Sequence, residues 1–334
     1  MRSRGIITLA YGRPRYVEMA KSLARSLILH DPTLMRAIIT DSADPELGDL
    51  FTYRIDLRPE YGSVSRQMLH LDRYTPFEET LFIDCDSLAV HPLDNFWTAF
   101  QSVPFGVCGT RTLSATDTDT DPALDVPFLL NHFHLTTLPR FDGASYYFKR
   151  TPEAAALFTT ARDLLLHAPE LRFTHFQRDG LDTGPSDEAI YSVAMAIHGL
   201  TVTDMGHGGM WPAIDANIRL ALDIPHGICT FVKPGHLFVP DILHLAHFTE
   251  SLFYLRECAR LKHLLNGRTD LTTAEELQLI STASVLWLRR KARSLRQHLR
   301  QLLHIVPTPN RRTSYGTSRN AIRLRVSTEH PHRA

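Results

Sequence analysis

Segments typical of strands and segments typical of helices alternate along the first 90 residues of this chain. The strand-like runs are short and apolar, and they are GIITLA at 5–10, AIIT at 37–40, YRIDL at 53–57 and LFID at 81–84. Between them, residues 15–30 and 63–74 carry apolar side chains at helical spacing. This alternation predicts a three-layer α/β domain, in which a mostly parallel sheet lies between helices.

The overall composition is that of an ordinary globular protein. The chain has 334 residues, of which 43% are hydrophobic, and its formal net charge is zero. The four cysteines form no CxxC pair, which argues against a zinc site or a disulfide framework and fits a reducing compartment. We find neither a signal peptide nor the roughly 18 to 20 consecutive apolar residues of a membrane-spanning helix. A cytoplasmic location is therefore expected.

Two aspartates follow the fourth strand, in the stretch LFIDCDSLAV at 81–90. In extended backbone, residues i and i+2 point the same way, so Asp84 and Asp86 present their carboxylates together and Cys85 turns away. Two adjacent, partly buried carboxylates repel each other and lose hydration, and a divalent cation removes both costs. Because ligands of α/β sheets bind at the carboxyl ends of strands, the pair predicts a Mg²⁺ or Mn²⁺ site. The alternative is that the aspartates only begin a turn.

The C-terminal part of the chain is basic. Thr273 and Glu276 match a capping box at the start of a helix, and no acidic residue occurs between Glu276 and Glu329. The leucines there form one stripe along the predicted helix and the arginines occupy its other side. Such a helix at 284–304 suits contact with an anionic membrane surface. Nucleic-acid binding is not expected, because the basic run lacks interleaved aromatic residues. The predicted organisation is an α/β domain at 1–265, a basic amphipathic helical extension at 270–306 and a poorly ordered tail at 307–334.

The order of short motifs resembles that of the GT-A glycosyltransferases. The motifs are an N-terminal strand and loop, a helix ending in an S-L pair, and an hhhDxD near residue 85. Together they most resemble the retaining family that contains glycogenin and the bacterial lipopolysaccharide galactosyl- and glucosyltransferases. The resemblance covers roughly residues 5–260. The resemblance implies a Rossmann-like nucleotide-diphospho-sugar transferase domain with a mixed, mostly parallel sheet. It also implies a hexosyltransferase of cell-surface polysaccharide biosynthesis, peripheral on the inner face of the membrane.

That family uses a nucleoside-diphosphate sugar, with UDP favoured, and a glycan or lipid-linked acceptor, and the configuration is retained. Its DxD holds Mn²⁺ against the diphosphate, which implies Asp84 and Asp86 as ligands of Mn²⁺ (or Mg²⁺) and a donor contact at Cys85. The segment ILHLAHFTES resembles the family's H-F-x-G segment, so His247 would complete the metal shell. His244 is the alternative, although strand alternation is expected to turn it the other way.

Three further segments of the resemblance concern the donor and the chemistry. The loop AYGRPRY resembles the loop that receives the nucleoside, which implies Ala10 and Tyr11 as donor contacts, with the ring of Tyr11 on the base. Arg66 matches a basic residue near the diphosphate. GPSDEAIYSVA resembles a helix start whose acid lies beneath the reacting sugar, which implies Asp187 or Glu188 as the catalytic group. Glu188 stands where the family prefers Gln, so which of the two points inward stays open.

The strand FDGASYYFKR at 141–150 resembles the place where donor sugar and acceptor meet in that family. The family's diphosphate lysine has no counterpart after the histidine segment, so Lys233, Arg256 or an arginine of the first loop would have to replace it.

Two other functions remain open on sequence alone. A non-catalytic nucleotide-sugar or glycan-binding module could use the same fold, and turnover separates it from an enzyme. A phosphatase of the haloacid dehalogenase type also uses hhhhDxD, but the later acidic pair of that class is not found and its motif opens the domain. The acidic run DTDTD at 117–121 has no strand before it and is interpreted as a solvated loop.

Overall fold

The computed structural model describes seven stretches of the chain, namely residues 3–117, 123–178, 181–213, 217–233, 236–246, 248–268 and 270–303. The chain divides into two compact units, residues 1–287 and residues 288–334. The predicted tail at 307–334 lies outside the described residues, and the predicted domain boundary at 265–270 stays a prediction. None of the described helices combines the length and the hydropathy that a bilayer-spanning helix needs.

The described residues contain sixteen short strands. The first eight are β1 (Arg4–Leu9), β2 (Met35–Thr40), β3 (Tyr53–Asp56), β4 (Glu79–Ile83), β5 (Ser87–Ala89), β6 (Phe105–Gly106), β7 (Arg111–Leu113) and β8 (Leu138–Arg140). The later ones are β9 (Ser145–Lys149), β10 (His175–Arg178), β11 (Leu181–Pro185), β12 (Met210–Pro212), β13 (Asn217–Asp223), β14 (Ile228–Lys233), β15 (His236–Phe238) and β16 (Ile242–His244).

The helices alternate with these strands in the first half and dominate the C-terminal part. They are α1 (Pro14–His30), α2 (Leu47–Leu50), α3 (Val64–Met68), α4 (Leu71–Tyr74), α5 (Asp94–Ala99), α6 (Val126–Phe133), α7 (Pro152–Leu166), α8 (Asp187–Ile197), α9 (Leu252–Leu265) and α10 (Thr273–Leu303). Two 3₁₀ turns, Pro59–Tyr61 and Ile224–His226, complete the set.

The central sheet has the strand order β3-β2-β1-β4-β9-β6. The pairings from β3 through β4 are parallel, whereas β9 runs antiparallel to both β4 and β6. Along β1, Ile6 packs into the same core as Leu23 of α1, and Ile7 packs into the core that contains Tyr191 of α8. Because successive strand residues point to opposite faces, helices cover both sides of the sheet. The predicted three-layer α/β architecture with a mixed, mostly parallel sheet is confirmed.

A small second sheet has the strand order β12-β16-β5. β16 is parallel to β12 and antiparallel to β5, and the register places His244 directly opposite Ser87. Since β5 begins one residue after Asp86, this pairing brings β16 to the tip of β4.

Two local predictions are wrong in detail. The single helix expected at 63–74 is divided into α3 and α4, because the chain leaves helical geometry at Leu69 and His70, where the His70 ring stacks on Tyr61 at 3.8 Å. The capping box at the start of α10 lies one residue earlier than predicted. Its members are Thr272 and Glu275, whose backbone N–H groups each donate to the other's side chain.

Candidate active site

The aspartate pair occupies the turn between β4 and β5. The N–H of Asp84 donates to the carbonyl of Ala144 at 2.9 Å, and the N–H of Ser87 donates to the carbonyl of Asp84 at 3.1 Å. Cys85 is buried in a hydrophobic core, as strand alternation predicts. Both carboxylates face a cavity of about 300 Å³ at the carboxyl edge of the parallel strands.

His244 joins this pair. Its Nε2 lies 3.3 Å from Oδ1 of Asp86, and one donor atom each from Asp84, Asp86 and His244 lies within 4.8 Å of the others. The expectation that alternation turns His244 away is wrong, because the pairing of β16 with β5 aims its ring at the aspartates. The other predicted ligand, His247, lies outside the described residues.

The chemistry of this cluster fits a divalent cation. Oδ1 of Asp86 is buried and, among the described residues, makes no hydrogen bond of good geometry, since its contact with Nε2 of His244 is 3.3 Å long. Burying a carboxylate in this way is costly unless a cation binds it. Burial, followed by the negative charge of Asp86, raises the pKa of Asp84 to about 7. Two carboxylates and one imidazole are ligands that suit Mn²⁺ or a similar ion.

A fourth polar group steadies the histidine. Nδ1 of His244 lies 3.0 Å from Oδ1 of Asp142, on the side of the ring opposite Asp86. Burial alone would raise the pKa of Asp142, but the charge and close contact of His244 outweigh burial and lower it, with a further small effect from Lys233. An imidazole that binds a metal through one nitrogen commonly has a carboxylate at the other, which orients the ring.

The first turn of α8 brings two more acids to the same cavity. The hydroxyl of Tyr146 donates to Oδ2 of Asp187 at 2.7 Å, and the backbone N–H of Gly143 donates to Oε2 of Glu188 at 3.1 Å. Burial raises the pKa of Asp187 to about 6. A Cβ at position 143 would lie 2.7 Å from the hydroxyl of Tyr146 and 3.3 Å from Cβ of Glu188, so glycine allows this close approach. We call this cavity, with its five carboxylates, the acidic cavity; they are Asp84, Asp86, Asp142, Asp187 and Glu188.

A larger cavity of about 480 Å³ adjoins it, and the two share Asp142, Ser186 and Glu188 in their linings. Its remaining wall contains Trp211 and three cationic side chains, which are Arg111, Arg140 and Lys233. We call it the basic cavity.

The structure places some of the predicted donor residues at the acidic cavity and others away from it. Tyr11 lines the acidic cavity together with Tyr16, whereas the side chain of Ala10 is buried in the core, where only its backbone could meet a ligand. Arg66 is exposed on α3 and its Cδ lies beside Gly62; Ser65 and Met68, on the other face of that helix, line the cavity instead. Contact of Arg66 with a diphosphate therefore stays a prediction.

The structure also distinguishes between the three candidates that would replace the family's diphosphate lysine. Lys233 lines the basic cavity beside the shared wall. Arg256 makes a two-pronged ion pair with Glu276, at 2.8 to 3.1 Å. Of the arginines in the predicted first loop, Arg15 lies in the first turn of α1 and donates to the hydroxyl of Tyr16 at 2.9 Å.

Comparison with solved structures identifies the fold. An active-site mutant of LgtC aligns with 81% of this chain and 98% of its own, at a TM-score of 0.50 and 12% identity. The fold is the GT-A fold. The galactosyltransferase LgtC in complex with donor and acceptor sugar analogs aligns over the same shares of the two chains, with a TM-score of 0.49 and 12% identity. Mouse xyloside xylosyltransferase 1 in its apo form gives 0.41 at 12% identity, over 72% of this chain and 97% of that chain.

Sequence comparisons add nothing to this assignment. No protein-family profile matches the chain, and no curated protein sequence matches it. At 12% identity the structural likeness shows the GT-A fold alone, so the activity has to be argued from the site.

Proposed function

We propose that this chain is a metal-dependent glycosyltransferase. It would move a hexose from a nucleoside diphosphate, with UDP the favoured nucleotide, to a glycan or lipid-linked acceptor with retention of configuration. The observation that carries the proposal is the cluster of Asp84, Asp86 and His244, which faces a cavity at the carboxyl edge of a GT-A sheet. The buried Oδ1 of Asp86, which makes no hydrogen bond of good geometry among the described residues, supports the metal.

Asp84, Asp86 and His244 would hold the cation, Mn²⁺ or Mg²⁺. When bound, such an ion supplies Lewis-acid stabilisation of the negative charge on the departing diphosphate. The ring of Tyr11, half-buried at the rim of the same cavity, would stack on the nucleoside base. Lys233 is the strongest of the three replacements for the missing lysine, because its charge already acts on Asp142.

Departure of the diphosphate leaves an oxocarbenium-like carbon, which a neighbouring carboxylate stabilises. Asp187 and Glu188 both face the acidic cavity, and each is held by a donor, the hydroxyl of Tyr146 and the N–H of Gly143 respectively. Fixing the carboxylates beforehand avoids reorganisation during the reaction. Glu188 also borders the basic cavity, so it stands where an acceptor would meet the donor sugar.

The decisive experiment is a thermal-shift screen of nucleotide sugars with and without Mn²⁺. We expect one donor to raise the melting temperature only when Mn²⁺ is present, because a ligand that binds the native state stabilises it by mass action. Asp86→Ala should lose that shift, whereas Asp56→Ala should keep it. Asp56 is a matched control, since it also ends a parallel strand but is exposed and outside the acidic cavity.

Turnover then separates an enzyme from a binding module. Release of nucleoside diphosphate from the stabilising donor, dependent on Mn²⁺ and lost in Asp86→Ala, is the expected result. Binding without release would support the non-catalytic module. If no nucleotide stabilises the protein with any metal, the glycosyltransferase proposal is wrong.

We further propose that the basic region 284–304 contacts an anionic membrane surface on the cytoplasmic face, which would suit a lipid-linked acceptor. On α10, Trp287, Leu288 and Leu295 are 57%, 58% and 62% exposed. Exposed apolar side chains beside Arg289, Arg290 and Lys291 form the combination that adsorbs to anionic lipid.

A further inference from the structure

Asp142 lies outside the group of candidate metal ligands but contacts one of its members. Its Oδ1 lies 3.0 Å from Nδ1 of His244, whereas Nε2 of the same ring faces Asp86 at 3.3 Å. Among the described residues, the side chains close enough together to share one cation are Asp84, Asp86 and His244. The imidazole therefore has a ligand carboxylate at one nitrogen and a carboxylate of a different kind at the other.

The contact with Asp142 offsets the burial of Nδ1. This nitrogen is buried and makes no hydrogen bond of good geometry among the described residues, so its close ionic contact with Asp142 is its polar environment. The side chain of His244 is only 10% exposed, which leaves little room for water to replace that carboxylate. Removal of the charge at position 142 would thus leave a buried polar atom uncompensated.

The carboxylate of Asp142 is itself fixed relative to the turn that carries the metal ligands. Its Oδ1 accepts the N–H of Ala144 at 3.0 Å, and the carbonyl of Ala144 accepts the N–H of Asp84 at 2.9 Å. On the other side of the ring, the N–H of Leu245 donates to the carbonyl of Asp86 at 3.1 Å. Because one backbone framework holds all of these groups, the histidine ring is already oriented before a cation binds.

The orientation of an imidazole matters more for some cations than for others. Mg²⁺ prefers oxygen ligands and keeps several of its waters, so a nitrogen ligand adds little to its binding. Transition-metal ions accept imidazole, and for a given site their affinity rises from Mn²⁺ to Co²⁺. A carboxylate at the second ring nitrogen orients the ring and raises the basicity of the first nitrogen. The benefit should therefore grow in the order Mg²⁺, Mn²⁺, Co²⁺.

We propose that Asp142 is a positioning residue, which holds the ring of His244 for the cation and thereby makes the site prefer Mn²⁺ or Co²⁺ to Mg²⁺. This inference rests on the metal site of the proposed function. It gives Asp142 a task other than the sugar contact implied by the family resemblance of the segment 141–150. The negative charge of Asp142 also attracts any cation nearby, whatever its ligand preference. The experiment therefore separates position from charge.

Binding of metal ions alone to the full chain makes this separation. Free Mn²⁺ is measured by electron paramagnetic resonance, Co²⁺ binding by visible absorption, and Mg²⁺ binding by competition with Mn²⁺. We expect Asp142→Asn to weaken Mn²⁺ binding by about 10- to 100-fold and Co²⁺ binding by at least as much, with a much smaller change for Mg²⁺. Asparagine keeps the size of the side chain and an oxygen for the N–H of Ala144, and thermal unfolding checks that the variant folds.

Asp187→Asn is the matched control. It removes the same charge from the acidic cavity, but Asp187 accepts its hydrogen bond from Tyr146 and makes no described contact with His244. It should weaken the binding of Mn²⁺ and Mg²⁺ by the same factor. His244→Ala gives a second comparison, because Asp142→Asn should have little further effect on Mn²⁺ affinity once the ring is absent.

Unchanged Mn²⁺ affinity in Asp142→Asn, equal losses for Mn²⁺ and Mg²⁺, or the same loss with and without the ring of His244 would each overturn the inference. Failure of the proposed function gives a different result. If Mn²⁺ binds in a way that depends on Asp142 but no nucleotide sugar binds the loaded protein, the glycosyltransferase proposal is wrong and the role of Asp142 stands. A parent chain that binds none of the three ions would refute the metal site and this inference together.

Discussion

Asp187 is buried at the start of α8, and the hydroxyl of Tyr146 is its closest described donor, at 2.7 Å. Burial raises the pKa of Asp187 to about 6, and this hydrogen bond opposes the rise because it stabilises the ionised carboxylate. The ionised form is the one that can stabilise a cationic sugar. In the proposed mechanism, protonation of Asp187 would therefore set the acid limit of the reaction.

Tyr146→Phe removes that donor. The pKa of Asp187 should then move further above 6, and the acid limb of the kcat/KM profile should shift upward by about 1 to 2 pH units, the size of a hydrogen bond to a charged group. The measurement is Mn²⁺-dependent release of nucleoside diphosphate across pH. Tyr53→Phe, at an exposed hydroxyl on β3, is the control and should leave the profile unchanged. An unshifted limb in Tyr146→Phe would assign the chemistry to Glu188.

Single residues of this site differ in how well the sequence predicts them. Asp84 and Asp86 could be placed together because they are two residues apart at the end of one strand, although the structure puts both in the turn that follows β4. His244 could not, because its position depends on the pairing of β16 with β5, between segments far apart in the chain. Arg111 lies opposite Arg140 through the pairing of β7 with β8, which are much closer in the chain than β5 and β16, and their residue types alone carried no signal.

At the scale of elements, the break between α3 and α4 shows how a tertiary contact changes a helix. His70 lies in that break and stacks on Tyr61 with ring centres 3.8 Å apart. Burial, and then the positive charges of Arg162, Arg73 and Arg58, lower its pKa to about 4. The helical spacing at 63–74 predicted one continuous helix, since periodicity records apolar positions and not the stacking that interrupts them.

The lowered pKa of His70 predicts acid sensitivity. In the unfolded chain the pKa of His70 is near 6.5, so as the pH falls the unfolded chain binds a proton before the folded chain does. The stability that the folded chain gains from neutral His70 is therefore complete above about pH 6.5 and is lost towards pH 4. His70→Gln should therefore lose less stability than the parent between about pH 7 and about pH 4.5. Urea unfolding at the two pH values measures this. His132→Gln, at an exposed histidine, is the control, and identical pH slopes in both variants and the parent would contradict the prediction.

At the scale of the whole molecule, the alternation of short apolar runs with helical periods predicted the GT-A sheet, because each βα step is encoded locally and the crossovers have a fixed hand. The strand at 141–150 and the mixed sheet were expected from the family resemblance, whereas the pairing of β9 with β4 and β6 and the small sheet that carries His244 were not predicted. Their strands are short, with three residues in β5 and three in β16, which is too few for a period to show.

The exposed apolar residues of α10 predict that the full chain binds anionic membranes. It should sediment with vesicles that contain anionic phosphatidylglycerol and not with phosphatidylcholine vesicles, because lysines and arginines supply about 1 kcal/mol each near an anionic surface. Raising the salt from about 0.1 M to about 1 M shortens the Debye length from about 10 Å to about 3 Å and should release most of the protein. Leu288→Ser should weaken binding, since it removes an apolar contact, whereas Leu166→Ser, at a leucine 75% exposed on α7, should not. Equal binding of the two variants, or equal binding of the protein to anionic and phosphatidylcholine vesicles, would show that α10 is not the membrane contact.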